Sequence, residues 1–241
     1  MKKDNLLYYK NKIKEKKKQI DILRQIIETI SYNWNLDQIL KLILEIVSDY
    51  TNSDSCFIYL LEKDYLILKA SQIPHKKDLG RIKIKIGEGI TGWVGKHKKK
   101  VVIEKEAYND KRFKVLLPED KYEAFLSVPI IFKDKVVGVI NVQNMKKKKY
   151  YKDKVVFLEI IAKQVGGAIE ISRLLSETNF LKEALETRKL IEKAKGILMM
   201  RNNLSENEAH KLIHKKSMDK RKTIKEISEA IIISEEISSL N

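Results

Sequence analysis

Hydrophobic positions along the chain follow a helical period first, a strand period next, and a helical period again toward the end. Leu6, Ile13, Ile20 and Ile27 lie seven residues apart with basic residues between them, which is a short heptad pattern. Residues 35–50 carry apolar side chains three and four positions apart, as an amphipathic helix does. The chain therefore opens on two predicted helices. The first either dimerises as a coiled coil or lies on a neighbouring domain.

The middle of the chain has the patterns of antiparallel strands. Residues 55–71 form two β-rich runs across a turn at Lys63–Asp64, which predicts a hairpin. Residues 81–86 alternate with period 2, and a second hairpin is predicted to turn near Lys133–Asp134. Between them, residues 87–96 (GEGITGWVGK) hold four glycines, so the backbone turns tightly there or is closely approached. These elements predict an α+β domain of about 140 residues, with antiparallel hairpins and helices at both ends.

The last third of the chain is helical in pattern. The helical period continues from residue 153 to residue 202 with hardly a break. Two capping boxes follow, Ser205 with Glu208 and Thr223 with Glu226, and each predicts the start of another helix. Three helices in about 65 residues predict a small all-α bundle, which needs a partner to be well buried.

The long first helix of this region carries two further signals. A spacing of four, three and four indicates a coiled-coil seam, and Gly166 and Gly167 inside a good helix suggest a close helix–helix approach. The seam residues are Leu174, Thr178, Leu181 and Leu185.

The composition of the chain gives it a net positive charge, and its single cysteine fits a reducing compartment. The 241 residues are 43% hydrophobic, which is enough for a core, and the formal charge of +16 suggests an anionic partner. Charge alone does not separate nucleic acid, a membrane surface and no partner at all. The single cysteine, Cys56, lies in an apolar run and is predicted to be a buried strand residue. There is neither a transmembrane run nor a secretory signal, so we expect a cytoplasmic protein without a membrane partner.

The chain offers little catalytic chemistry. It has no G-x-x-x-x-G-K-[ST] phosphate loop, and four histidines leave little with which to build a catalytic centre. His210 and His214 share a helix face at a spacing that could hold zinc, but a third ligand is not apparent. We therefore expect no catalytic residue, no metal site and no enzyme activity.

Basic and small polar residues gather on one side of the predicted bundle. Lys211 and Lys215 are four apart on its second helix, and Lys222 continues their line. Apolar Leu212 and Ile213 face away from this line. Such a surface can neutralise phosphates and let a base stack on a side chain. Ordinary solvated faces of a lysine-rich protein are the alternative.

The tail carries three segments at fixed distances from one another: AKGILM (194–199), LSENEA (204–209) and SMDKR (217–221). With these segments, the chain over about residues 176–238 resembles the ANTAR family of RNA-binding antiterminators, which implies an ANTAR domain over residues 176–241. Ser217 and Ser228 stand where the family usually has alanine, and both are small enough to preserve packing.

The middle of the chain carries GEGITGWVGK, NDKRF (109–113), SVPI (127–130) and VVGVINVQN (136–144). With these segments, residues 34–175 resemble a GAF domain. The fold serves many functions, so it implies an architecture more than a ligand. The predicted organisation is thus an N-terminal helix over residues 1–33, which could form a coiled coil, followed by an α+β GAF sensor domain. A long coiled-coil-like helix joins this domain to an all-α three-helix ANTAR bundle.

Taken together, the resemblances imply a ligand-responsive transcription antiterminator. Its tail would bind two stem-loops in nascent leader mRNA and prevent a terminator hairpin from forming, and the chain would act as a homodimer. The GAF domain would take a small-molecule effector whose identity is unknown. The expected RNA-binding residues are Arg188, Lys195, Lys211, Lys215, Ser217, Arg221 and Lys222, and the expected pocket residues are Trp93, Tyr108, Phe113 and Ser127.

Two other functions stay open at the level of sequence. One is a GAF-based dimeric signalling protein whose helical tail docks a partner protein rather than RNA. The other is an enzyme-linked sensor or a DNA-binding regulator, because residues 218–223 are about the right length for the turn of a helix-turn-helix.

Overall fold

Two helices begin the chain, as the hydrophobic pattern predicts. The computed structural model describes residues 2–32, 35–72, 78–114 and 122–238. Helix α1 spans Lys2–Tyr32 and helix α2 spans Leu36–Thr51. The Asn35 side chain caps α2 by accepting a hydrogen bond from the Gln38 backbone N–H.

Helix α1 uses one face for packing and leaves another open. Ile26 is fully buried, and neighbouring apolar residues pack with it against the core that includes α2. The heptad positions Leu6, Ile13, Ile20 and Ile27 are exposed. The helix therefore lies on its own domain, which was one of the two alternatives. The interleaved heptad positions Leu23 and Ile30 pack against that domain, while the seven-residue series from Leu6 to Ile27 stays exposed.

The described strands form an antiparallel sheet in the order β3-β2-β1-β6-β5-β4. Both predicted hairpins are present. In the second, Lys133 and Asp134 both adopt positive φ, at 44° and 62°, as the tightest hairpin turns require. The strand bounds are Ser55–Glu62 (β1), Tyr65–Ser71 (β2), Lys83–Lys85 (β3), Val101–Ile103 (β4), Ala124–Phe132 (β5) and Lys135–Asn144 (β6).

The glycine-rich segment turns tightly and then forms a helix that its composition did not predict. Gly87 and Gly89 have φ values of +90° and +63°, and helix α3 then spans Gly89–His97. A Cβ atom on Gly92 would collide with the carbonyl oxygen of Lys85. Glycine therefore lets α3 lie directly against the end of β3, which positions its first turn over the sheet.

Core residues lie on both faces of the sheet, with the alternation that strands impose. Ile58 and Ile140 belong to the larger cluster, which packs with α1, α2 and the helix that follows β6. Tyr59 and Val139 belong to the cluster on the opposite face, beneath α3. Cys56 is fully buried in the larger cluster, and burial raises the pKa of its thiol to about 12. A thiol held neutral in this way has a structural role.

Helix α4 spans Lys152–Asn202, and its adjacent glycines, Gly166 and Gly167, pack against the sheet rather than against another helix. A Cβ atom on Gly166 would lie 2.7 Å from the carbonyl oxygen of Ile131. One on Gly167 would make ordinary contact with the Phe132 ring. The close approach at Gly166 is therefore between α4 and strand β5, and the expected helix–helix approach at this position is wrong.

The chain divides into an N-terminal unit, residues 1–173, and a C-terminal unit, residues 174–241. The C-terminal unit contains the end of α4 together with helices α5 (Glu206–Lys220) and α6 (Ile224–Ser238). Among its described residues, Ala194, Ala209, Ile213 and Ile232 are buried hydrophobic residues, and half-buried leucine and isoleucine side chains pack against this cluster. In the described residues, the helices are too short or too polar to cross a membrane.

Both predicted capping boxes are present in the C-terminal unit. Ser205 accepts from the Glu208 backbone N–H while the Glu208 carboxylate accepts from the Ser205 backbone N–H. Thr223 and Glu226 form the same reciprocal pair at the start of α6. These side chains satisfy backbone N–H groups that a helix start would otherwise leave without partners.

Candidate functional site

An exposed cationic surface lies on α5 and the turn after it. Lys211, Lys215 and Lys222 are exposed, as is Arg221. Arg221 has φ +52° at the residue after α5, a position that glycine usually occupies. The left-handed conformation lets its N–H and that of Lys222 bond the last carbonyls of α5. Arg188 is also exposed, on α4. We call Lys211, Lys215, Arg221 and Lys222 the cationic surface.

Lys195 is placed differently from these residues. Its side chain is only 9% exposed, and its Nζ lies 2.6 Å from Glu206 Oε1 and 2.9 Å from Glu192 Oε2. Hydrogen bonds to these two carboxylates raise the pKa of Lys195, and the bond from Lys195 lowers the pKa of Glu206. The three residues, here called the Lys195 clamp, join α4 to the first turn of α5. The charge of Lys195 is thus already balanced within the protein.

Ser217 is also inside rather than on the surface. It is buried, and its Oγ donates a hydrogen bond to the carbonyl oxygen of His214. Ser228 is buried in the same manner, with its Oγ donating to Ile224. Small side chains fit both positions, and this geometry gives Ser217 a packing role rather than an outward-facing one.

The two histidines of α5 lie on the surface of the bundle. His210 and His214 are both exposed, and no group of three or more metal-ligating side chains occurs within the described ranges. His210 instead lowers the pKa of Glu206 as a minor electrostatic contribution behind Lys195.

Sequence reasoning missed the carboxylates that hold Lys195. Glu192 could have been found, because it precedes Lys195 by three residues on one helix. Glu206 could not be found by spacing. It comes from another helix, and only the tertiary fold brings it to Lys195.

A small cavity in the N-terminal unit lies between α3 and the sheet. Its volume is about 40 Å³, and Phe113 lines it, as expected. The other three expected residues do not line it. Ser127 is buried behind the cavity wall, Tyr108 is exposed, and Trp93 stacks with the Arg112 guanidinium and the His97 ring.

Polar side chains of β5, β6 and α3 form a chain at the cavity wall. Ser127 Oγ donates to Asn141 Oδ1 at 2.6 Å, and Asn141 Nδ2 donates to Thr91 Oγ1 at 2.7 Å. Thr91, Asn141 and Gln143 all line the cavity. Gln143 is more than nine-tenths buried, and its Oε1 has no hydrogen-bond partner among the residues that the structure describes. A buried acceptor without a partner is costly, so a group that donates a hydrogen bond to this oxygen would stabilise the site.

Comparisons with known proteins match both units. A family model described as "GAF domain" matches residues 35–170, and one described as "ANTAR domain" matches residues 180–232. The solved GAF domain of a phosphoenolpyruvate-protein phosphotransferase from Acinetobacter is 31% identical, with a TM-score of 0.60. That match covers 65% of this chain and 95% of the solved one.

Two bacterial regulators match a shorter part of the chain. The chain is 43% identical over 63 residues to "Transcriptional regulatory protein PdtaR" of Mycobacterium tuberculosis, which is 26% of this chain and 31% of that protein. It is 42% identical over 65 residues to "Nitrate regulatory protein" of Klebsiella oxytoca, which is 27% of this chain and 16% of that protein. The chain thus spans less than a third of the length of these relatives.

Proposed function

Because the chain belongs to the GAF domain family and carries an ANTAR domain after its GAF domain, we propose that it is an RNA-binding transcription antiterminator. It binds two short stem-loops in a nascent leader mRNA. Binding stabilises these stem-loops at the expense of an overlapping terminator hairpin, so that the polymerase continues. The observation that carries the proposal is the exposed cationic surface within the matched ANTAR domain.

The cationic surface supplies the contacts to the phosphate backbone. Lys211 and Lys215 are exposed and can reach phosphates as point charges, and the Arg221 guanidinium can bind one phosphate through two N–H groups. Lys222 is also exposed, and its Nζ lies 3.8 Å from Glu226 Oε1 in a surface ion pair that a phosphate can replace. Arg188 is a further exposed RNA-contacting residue, on α4. Lys195 and Ser217 serve this surface indirectly, because the first holds α5 on α4 and the second packs inside the bundle.

The GAF domain makes the antiterminator responsive to a small-molecule effector. The cavity beside Phe113, Thr91 and Gln143 is the proposed effector site. Effector binding changes RNA affinity only by preferring one arrangement of the protein over another. A volume of about 40 Å³ accepts only a few heavy atoms, so the effector is small or enters by displacing the wall.

A second copy of the chain completes the RNA reader. Two stem-loops call for two tails, and each unit leaves an apolar stripe exposed. In the N-terminal unit the stripe follows the heptad face of α1. In the C-terminal unit it includes Leu174, Leu181 and Leu185 of α4. We therefore propose that the protein is a cytoplasmic homodimer without enzyme activity.

A DNA-binding alternative is favoured by one feature. Helices α5 and α6 are separated only by residues 221–223, which is the short turn that a helix-turn-helix needs. Duplex DNA is therefore included as a competitor in the test.

The proposal is tested by binding of the purified chain to a two-stem-loop RNA from its own transcript leader, at near-physiological salt. Wild type should prefer this RNA over mutated-loop RNA and over duplex DNA. Lys211→Ala with Lys215→Ala should weaken binding and reduce the magnitude of the salt slope by about 1.5–2, because two phosphate contacts are lost. Lys146→Ala with Lys147→Ala removes the same charge from an exposed loop of the other unit and should leave binding nearly unchanged.

Equal affinity for all three nucleic acids, collapsing as salt rises, would identify general polyanion binding and contradict the proposal. Equal losses in the two lysine pairs would show that net charge, and not the cationic surface, determines RNA binding.

A further inference from the structure

An open groove of about 540 Å³ lies between α4 and α5 in the C-terminal unit. Phe180 lies at this groove with 69% of its surface exposed, which is unusual for a large aromatic side chain outside any core. Arg188 and Ile191 line it further along α4, and His210 lines it from α5.

The coiled-coil seam does not account for Phe180. The groove positions Phe180, Ala184, Thr187 and Ile191 are spaced four, three and four, and so are the seam positions that begin at Leu174. At 3.6 residues per turn, the two stripes point about 100° apart around the helix. A second copy packed on Leu174, Leu181 and Leu185 would therefore leave the Phe180 stripe outside the seam, whose continuation reaches the edge of the groove at Arg188 and Glu192.

Charge distinguishes this groove from a phosphate site. Arg188 is its one permanent cation, and two carboxylates, Glu183 and Glu192, also line it. With His210 neutral, the formal charge of the groove lining is −1. A continuous phosphate backbone is not attracted to such a lining, whereas a neutral planar group is. The flat faces of Phe180, Arg188 and His210 can stack on a base, and carboxylates can accept hydrogen bonds from its amino groups.

We propose that this groove binds an unstacked nucleobase from an RNA loop, with Phe180 as the stacking surface. The Lys195 clamp fixes its width, since Glu192 belongs to both and Glu206 lies one turn before His210 on α5. The inference rests on the proposed RNA-binding function. It assigns loop-sequence discrimination to the groove and backbone affinity to the cationic surface.

The test uses the full chain and the two-stem-loop RNA of its own leader, with 2-aminopurine in place of one loop base at a time. Phe180→Ala should lower specific affinity about 5- to 150-fold, the usual effect of losing one aromatic–base stack, with no change in the salt slope. Phe180→Leu should lose as much RNA affinity as Phe180→Ala, because leucine has no π face for stacking even though it keeps an apolar contact. Phe180→Trp should retain binding. For one loop position, the fluorescence of 2-aminopurine should be quenched by wild type and not by Phe180→Ala.

Ile233→Ala is the matched control, because Ile233 is a 55% exposed apolar residue on α6, away from the groove. Loop discrimination by both wild type and Phe180→Ala would overturn the groove while leaving the antiterminator proposal standing. Full RNA binding by Phe180→Leu would also overturn the groove. The same holds if Phe180→Ala loses no more RNA affinity than Ile233→Ala does. Dissociation of a dimer by Phe180→Ala, seen by light scattering, would assign the groove to a second copy instead. A wild type that ignores loop mutations would overturn the antiterminator proposal together with the groove.

Discussion

The two units of this protein are held together by different physical means. The N-terminal unit has apolar clusters on both faces of a sheet, in which strand residues such as Ile58, Leu126 and Ile140 are fully buried. The C-terminal unit has few fully buried apolar residues, and polar contacts fix the starts of α5 and α6. The Lys195 clamp adds an ionic link between α4 and α5. The first unit owes its structure mainly to buried area, and the second depends more on individual polar groups.

The largest expected effect separates the two cores. Ile140→Ala should lower the free energy of unfolding of the N-terminal unit by about 2–5 kcal/mol, because it opens a cavity in the larger cluster. Both tryptophans of the chain lie within residues 1–173, so tryptophan fluorescence in urea reports this unit alone. Ile213→Ala is the counterpart in the C-terminal unit. It should move a helical circular-dichroism transition and leave the tryptophan transition in place. A single shared transition shifted equally by both changes would refute independent stability of the two units.

A pair of glycines in one helix sharpens the comparison, because alanine should act with opposite sign at the two positions. Gly166→Ala should destabilise the N-terminal unit by about 1–3 kcal/mol, since the new Cβ meets the Ile131 carbonyl oxygen. Gly196→Ala should stabilise the C-terminal unit by about 0.5–1 kcal/mol. Nothing lies within 4 Å of the new Cβ, and alanine is the better helix former.

Urea unfolding followed by fluorescence and circular dichroism measures both glycine changes. Destabilisation of the C-terminal unit by Gly196→Ala would mean that this position is packed against something, such as a second copy. Repetition at protein concentrations above and below dimer dissociation would then identify the contact.

The same contrast explains what the sequence could predict. Hydrophobic periodicity located both hairpins, the long helix and the first two helices of the chain, because burial of one face of an element imposes its period on the sequence. The capping boxes were equally readable, since both partners lie within one turn. Helix α3 was missed because its glycines are there to bring it close to β3, a constraint that local propensity does not contain.

The candidate sites were harder to predict than the fold. Exposure of Lys211 and Lys215 follows from helix geometry, since both face away from Ile213. The burial of Lys195 follows from Glu206, which belongs to another helix. Of the four expected pocket residues, Phe113 lines the cavity and the other three do not. Trp93 and Ser127 are near the cavity in the fold, but Thr91 and Asn141 line it instead.

The smallest expected effects are those of pH, and they too distinguish the units. Hydrogen bonds from Lys195, Ser205 and Thr223 lower the pKa values of Glu206, Glu208 and Glu226 in the C-terminal unit. A carboxyl group with a lowered pKa in the folded state stabilises the fold above its unfolded value, about 4.3 for glutamate. That stabilisation is lost as pH falls through the folded value. Each group is solvent-exposed, so each contributes modestly.

In the N-terminal unit, burial raises the pKa values of Cys56, Tyr50 and Tyr150, so the stability of that unit falls as pH rises above the unfolded values of these groups. Asp110 and Glu170 have lowered pKa values, which gives this unit some acid sensitivity as well.

Acid titration from pH 7 to pH 3 should therefore reduce helical circular dichroism before it changes tryptophan fluorescence. Glu208→Gln with Glu226→Gln is the matched variant, because glutamine keeps the capping hydrogen bonds but does not titrate. Its helical signal should be less sensitive to acid than that of wild type. If the variant loses helix over the same pH range as wild type, the capping carboxylates are not the source of acid sensitivity. Glu206 of the Lys195 clamp would then be the expected source, and the acid titration of Glu206→Gln would measure its contribution.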